Sequence, residues 1–389
     1  MKKVVLFLVL TVAFVTTIHA QALRDINYNY EYDADSHFSF RIKPIKQAQG
    51  WSVLYRLQLD DTLFTMNDFS ITWEVRGDLD AKQGMAKTDG IHVLRSSSKH
   101  LSGRITLDFS PNTQILVARV TNNSKKQAWL FYKILSANYS VANYLEESQG
   151  EPILEPYVDI KQPVHLDSVS KQQSFIVSYY ANNFPSAVPA FSAGMAQVSQ
   201  RLKPDSSFSI TNEQSIIFDR AGLYLLQRDT NALEGLALRA ETGYPKFRRL
   251  EDLVGPMVYI CTKEEFHALR MAGNDKKRFD KGILSITRDV SRAKNFMKNY
   301  FDRVESANYY FTSYKEGWKT DRGMVYIIYG KPESVFKFLD REVWSYGKTA
   351  FTFIKSSTLF DPENYVLIRN KKFAEEWYEK VDLIRNARF

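Results

Sequence analysis

The chain has 389 residues, 44% of them apolar and 14% aromatic, with a formal charge of +8. That composition excludes an intrinsically disordered protein, and at about 150 residues per domain the length asks for two or three domains. With Cys261 as the only cysteine, an internal disulfide is excluded as well.

Lys2 and Lys3 precede an apolar run from Val4 to Val15, and small residues follow at Ala20 and Ala22. A charged start, a short apolar middle and an Ala-x-Ala end form the pattern of an export signal. The run is shorter than the about 20 apolar residues of a membrane span. Residues 1–22 therefore read as a signal peptide, cut after Ala20 or Ala22. No cysteine follows for lipid attachment, and export with a single cysteine fits a bacterial periplasm or outer-membrane-associated location. There a basic surface meets an acidic protein, a glycan or anionic lipid, and not nucleic acid.

Residues 23–146 alternate apolar and polar positions. Phe38, Phe40 and Ile42 do so, as do Trp51, Val53, Tyr55 and Leu57, then Phe69, Ile71, Trp73 and Val75, and finally Ile105, Leu107 and Phe109. Period two puts such side chains on one face of a strand, and several short runs predict an antiparallel β-sandwich. Residues 147–254 predict a second sandwich, of immunoglobulin-like type. It opens on a Pro152/Pro156 linker and holds the strand candidates "SFIVSYY" and "SIIF". In "FDRAGLYLLQRD", Asp219, Gly222 and Tyr224 match the corner at which a tyrosine hydroxyl bonds back to upstream backbone.

The period then changes. Thr262 and Glu265 form a capping box for a short helix. A long helix is predicted from about Asp275, with one apolar stripe through Phe279, Ile283, Ile286, Val290, Ala293, Met297, Tyr300, Val304 and Ala307. Its other face carries Arg278, Lys281, Arg288, Arg292, Lys294 and Lys298, read as a solvated face or as a strip for an anionic partner. Strands are predicted in "MVYIIY", "EVWSYG", "AFTFIK" and "YVLIR", and a final helix carries Phe373, Trp377, Val381 and Ile384 on one side. Residues 255–389 thus predict an α+β domain with a long helix and a small antiparallel sheet.

The densest stretch is "GWKTDRGMVYIIYGKPESVF", Gly317 to Phe336. Gly317 and Gly323 allow close turns. Trp318 wants burial and an acceptor, Thr320 and Asp321 can bond nearby amides, and Arg322 offers a planar fork to a carboxylate or phosphate. Met324–Tyr329 reads as a strand stopped by Gly330-Lys331-Pro332, with Pro332 and Glu333 starting a new turn or short helix.

This string, with "FDRVESANYYFTSYKEG" before it and Trp344 and Tyr346 after it, resembles the GWxTD domain of exported bacterial proteins. All the signature positions match, and the resemblance spans about residues 255–389 and, more loosely, the "AGLYLLQRD" region before them. It implies no established activity, cofactor or catalytic residue. The reading that follows is a non-catalytic envelope protein whose C-terminal domain binds or assembles with an envelope partner. The candidate surface comprises Tyr314, Gly317, Trp318, Thr320, Asp321, Arg322, Gly323, Tyr326, Gly330, Pro332, Trp344 and Tyr346, with Tyr309 and Tyr310 beside it and Asp321 bonded to Arg322. The histidines are scattered without metal spacing, so no metal or other cofactor is expected, and no serine elbow or phosphate loop is present. Two alternatives stand. One is a polysaccharide-acting enzyme pairing Asp321 with Glu305, Glu316 or Glu342, and the other is a motif that only holds the fold, with Trp318 and Asp321 both buried.

Overall fold

A computed structural model describes residues 21–167, 173–181, 184–194 and 202–389; the signal-peptide reading falls almost wholly outside the described residues. Eight strands come first: β1 (Phe38–Lys46), β2 (Gly50–Leu59), β3 (Phe69–Arg76), β4 (Met85–Lys87), β5 (Ile91–Ser96), β6 (His100–Asp108), β7 (Gln114–Asn122) and β8 (Gln127–Leu135). They form two antiparallel sheets, ordered β1-β2-β6-β5 and β4-β3-β7-β8. The alternating residues meet between them: Trp51, Val53, Tyr55 and Leu57 share one apolar cluster with Trp73, Leu116, Ala118 and Phe131. Strand alternation is sufficient to specify this part, because a one-residue slip would turn the whole set to solvent.

Nine shorter strands follow: β9 (Tyr144–Glu147), β10 (Pro152–Ile153), β11 (Tyr157–Asp159), β12 (Pro163–Asp167), β13 (Ser174–Tyr180), β14 (Ser206–Thr211), β15 (Ser215–Ile217), β16 (Gly222–Gln227) and β17 (Leu236–Glu241). They make sheets β10-β9-β12-β15 and β11-β17-β16-β13-β14 around a second cluster. All pairs are antiparallel except β11 beside β17. The Tyr224 hydroxyl donates to the Arg220 carbonyl at 2.8 Å, the backward bond that the sequence predicts.

The C-terminal part holds α1 (Leu250–Val254), α2 (Lys263–Ala272), α3 (Lys276–Thr287), α4 (Val290–Phe311) and α5 (Asp321–Tyr329). After them come β18 (Ser334–Lys337), β19 (Arg341–Tyr346), β20 (Thr349–Lys355), β21 (Tyr365–Leu367) and α6 (Ala374–Arg385). The capping box forms at the start of α2: Glu265 N donates to Thr262 Oγ1 at 3.2 Å and Thr262 N to Glu265 Oε2 at 2.9 Å. Among the described residues no helix is long and apolar enough to cross a membrane.

Three expectations are corrected here. The long helix is two helices: Arg288 takes a left-handed conformation (φ 62°) and Asp289 caps α4 by accepting from Arg292 N at 2.9 Å. A capping aspartate inside a periodic stripe therefore overrides the continuity of the stripe. Met324–Tyr329 is helical. Thr320 is the N-cap of α5, its Oγ1 accepting from Gly323 N at 3.0 Å, and every residue from Gly323 to Tyr329 is buried. A run covered on all sides loses its period, so helix and strand look alike in it. Pro332 and Glu333 start no helix but lead into β18, so the small sheet is β18-β19-β20-β21 without the "MVYIIY" run.

Residues 27–33 pack against the C-terminal part. Tyr28 N donates to Val335 O at 2.8 Å, and Val335 N to Asn27 Oδ1 at 2.9 Å, so residues 27–28 cover the edge of β18. Tyr28 and Tyr32 are buried in the same cluster as Trp344 and Phe311. Lys331 pairs with Asp33 at 2.5 Å, and Lys337 pairs with Glu31.

Candidate functional site

The signature is built on the turn between α4 and α5. Gly317 N donates to Tyr244 Oη at 3.1 Å and to Thr312 Oγ1 at 3.2 Å. Trp318 N donates to Asn308 Oδ1 at 3.0 Å, and the Trp318 carbonyl accepts from the Tyr259 hydroxyl at 2.8 Å. Thr320 Oγ1 donates to Gly317 O at 2.8 Å. The two glycines allow this closeness. A Cβ on Gly317 would lie 2.1 Å from Ala307 O, and one on Gly323 would lie 1.9 Å from Gly317 O. Both obstacles are backbone, which cannot rotate away.

Asp321 points inward. Its Oδ1 meets Arg369 Nη2 at 2.5 Å, and its Oδ2 accepts from Leu367 N at 2.7 Å and from Arg369 Nη1 at 3.2 Å. The two side chains are 6% and 1% exposed, so neither charge has water to fall back on. Arg369 also donates to Val188 O at 3.2 Å, and Ala187 N donates to Lys319 O at 3.0 Å. The signature thus ties α5 and β21 to residues 187–188 from the middle of the chain.

Arg322 points the other way. Its guanidinium lies 4.3 Å from the Tyr365 ring centroid and 5.3 Å from that of Phe311. Nη1 is 3.4 Å from Glu342 Oε1, and Glu342 also accepts from Trp344 Nε1 and from the Tyr32 hydroxyl, both at 3.1 Å. Burial opposes the charge on Arg322, but Glu342, together with Tyr32, Tyr365 and Asp361, outweighs it and holds the guanidinium above its ordinary range. The expected Asp321–Arg322 bond is replaced by two separate pairs, because successive residues at a helix start diverge by about 100° around its axis.

Arg322 lines a cleft of about 850 Å³ between the first sheet pair and the C-terminal part. Tyr30, Tyr132, Tyr309, Tyr310 and Tyr365 contribute aromatic walls. Its floor is charged. Burial pushes the Asp361 carboxyl up to about 6, against the pull of Arg322. Burial also works against Glu363, but Lys133 and Lys355 prevail and hold its carboxyl down at about 2. Lys133 pairs directly with Glu363.

The candidate binding residues are therefore distributed differently from the expectation of one surface. Gly317, Trp318, Thr320, Asp321, Gly323, Tyr326, Gly330, Pro332, Trp344 and Tyr346 are buried, while Tyr314 and Arg322 are partly exposed. The Tyr326 hydroxyl donates to Tyr32 O at 3.1 Å and that of Tyr346 to Gly330 O at 2.8 Å. Tyr314 packs edge-on to Phe184, away from the cleft. Each carboxylate considered for acid–base work has a cation of its own: Asp321 has Arg369, Glu305 has Lys246, Glu316 has Lys319 and Glu342 has Arg322. Among the described residues no group of three or more potential ligands could hold a metal ion. Sequence reading missed Arg369, Asn308 and Tyr259. Asn308 and Tyr259 carry no local signal, whereas Arg369, closing the "YVLIR" strand, is a charge at the end of an apolar run.

Residues 222–386 match the family model described as the GWxTD domain. No curated protein matches. Among solved structures, a chimeric titin Z1Z2-Z1Z2 tandem carrying a GRGDS peptide from fibronectin aligns at 12% identity and a TM-score of 0.17, over 53% of this chain and 98% of its own. At that score the alignment carries no argument.

Proposed function

We propose that this chain, which carries a GWxTD domain at residues 222–386, is an exported, non-catalytic protein of the bacterial cell envelope that binds or assembles with an envelope protein. The observation that carries this reading is the divergence of Asp321 and Arg322. Asp321 and its neighbours are spent inward on Arg369 and backbone, so the signature braces the domains and performs no chemistry. Arg322 is turned into the aromatic cleft, and that cleft is the recognition site. Tyrosines with a few fixed charges suit a protein segment, because they give large contact area at small entropic cost. The two N-terminal sheet pairs act as immunoglobulin-like spacers, a class that the Tyr224 bond supports.

Photo-crosslinking in cells tests this. A photoreactive residue in place of Tyr310, in the cleft wall, is expected to capture a discrete partner. The same probe at exposed Glu379, on the last helix, is expected not to. Equal capture from both positions, or none from the cleft in a folded protein, rejects the reading.

A further inference from the structure

The corner between α3 and α4 carries most of the net charge of the chain. From Lys276 to Lys298 there are eight lysines and arginines against two aspartates, in a chain whose whole formal charge is +8. Two of these cations are paired, Lys276 with Asp280 and Arg278 with Asp275. The other six, Lys277, Lys281, Arg288, Arg292, Lys294 and Lys298, are exposed and make no ion pair among the described residues. Asp289 is committed to the cap of α4.

The positions are ordered. Lys277, Lys281, Leu284 and Arg288 follow one stripe of α3 and its end, and Val290, Lys294 and Lys298 follow one stripe of α4. Leu284 is 38% exposed and Val290, at the break, 59%. Aliphatic side chains in water, flanked by unpaired lysines with long apolar stems, are the composition that lies in a headgroup layer. The stems reach over the aliphatic residues while the ammonium groups meet phosphate.

We infer that the α3–α4 corner docks this protein onto a bilayer surface containing anionic phospholipid, with Leu284 and Val290 entering the headgroup layer and the six unpaired cations meeting lipid phosphates. An acidic protein would be drawn to the charge but would gain nothing from exposed aliphatic side chains between the cations. The inference is independent of the cleft reading, and the two fail separately, because their variants lie on different elements.

Sedimentation of the leaderless chain with vesicles tests it. Binding is expected to phosphatidylglycerol/phosphatidylcholine vesicles and not to phosphatidylcholine alone, weakening as salt screens the surface. The exposed triple variant K281E/K294E/K298E, with circular dichroism confirming its fold, is expected to lower the partition coefficient by roughly a hundredfold. L284S/V290S, which keeps every charge, is expected to lose about threefold to tenfold, most visibly at high salt. Soluble polyglutamate held as tightly as the vesicles and indifferent to L284S/V290S would assign the corner to an acidic macromolecule and overturn the inference. Unchanged vesicle binding by the triple variant would overturn it as well.

Discussion

Asp321 and Arg369 lie 48 positions apart and form a nearly dry ion pair with the Leu367 amide as third member. Removing one partner of such a pair leaves the other charged and buried, which typically costs about 3–5 kcal/mol. Asp321→Ala and Arg369→Leu are each expected to lose that much in urea unfolding. The double variant is expected to lose clearly less than the sum, since no orphan charge remains. Additive losses would mean that the two residues act independently.

The signature glycines make a steric prediction. With Gly317 O only 1.9 Å from a Cβ at position 323, Gly323→Ala must displace backbone. A loss of about 2–3 kcal/mol is expected, at the upper end of overpacking. Gly347→Ala, which has open space but φ of 56°, is expected to lose only about 1 kcal/mol. Thermal melts of the two variants rank them, and a reversed order contradicts the close approach.

The cleft floor sets a pH dependence with two limbs. Asp361 has its folded pKa raised from 3.8 to about 6 by burial, so its contribution to stability is full below about 4 and lost as pH rises through 6. Glu363 is held at about 2, below its unfolded value of 4.5, so its contribution is full above 4.5 and lost as pH falls toward 2. Asp361→Asn is expected to stabilise the protein by on the order of 1 kcal/mol at pH 8 and negligibly at pH 4. Melting temperatures from pH 4 to 8 check the sign, and a uniform shift at all pH values contradicts it.

The opening segment predicts where the proposed signal peptide is cut. Gln21 O accepts from Arg76 Nη1 at 3.0 Å, Ala22 is 5% exposed and Leu23 is fully buried. Cleavage after Ala20 preserves these contacts, whereas cleavage after Ala22 would put a charged amine on buried Leu23. The intact mass of exported protein is expected to correspond to a chain beginning at Gln21, and a start at Leu23 contradicts this.

The sheets of the first domain were legible because Trp51, Val53, Tyr55 and Leu57 share one buried face while polar Ser52, Arg56 and Gln58 take the other, which writes a period into the residues. Thr262 and Glu265 were legible because a capping box is local. The α5 helix was not, since Met324–Tyr329 is covered all round and carries no period. Nor was the helix break legible, because its left-handed residue is an arginine and not a glycine. The site was half visible: the signature stands out by residue type, but the directions of Asp321 and Arg322 depend on Arg369, Glu342 and Tyr32, partners that only tertiary structure brings close.

The strand edge at Val335 is closed by Asn27 and Tyr28, residues made some 300 positions earlier. Synthesis runs in one direction, so Asn27 and the Tyr28 amide wait for Val335 until the end of the chain emerges. A contact closed over so long a stretch of chain is among the last that folding can make, and until it forms the edge of β18 lies open to any other strand.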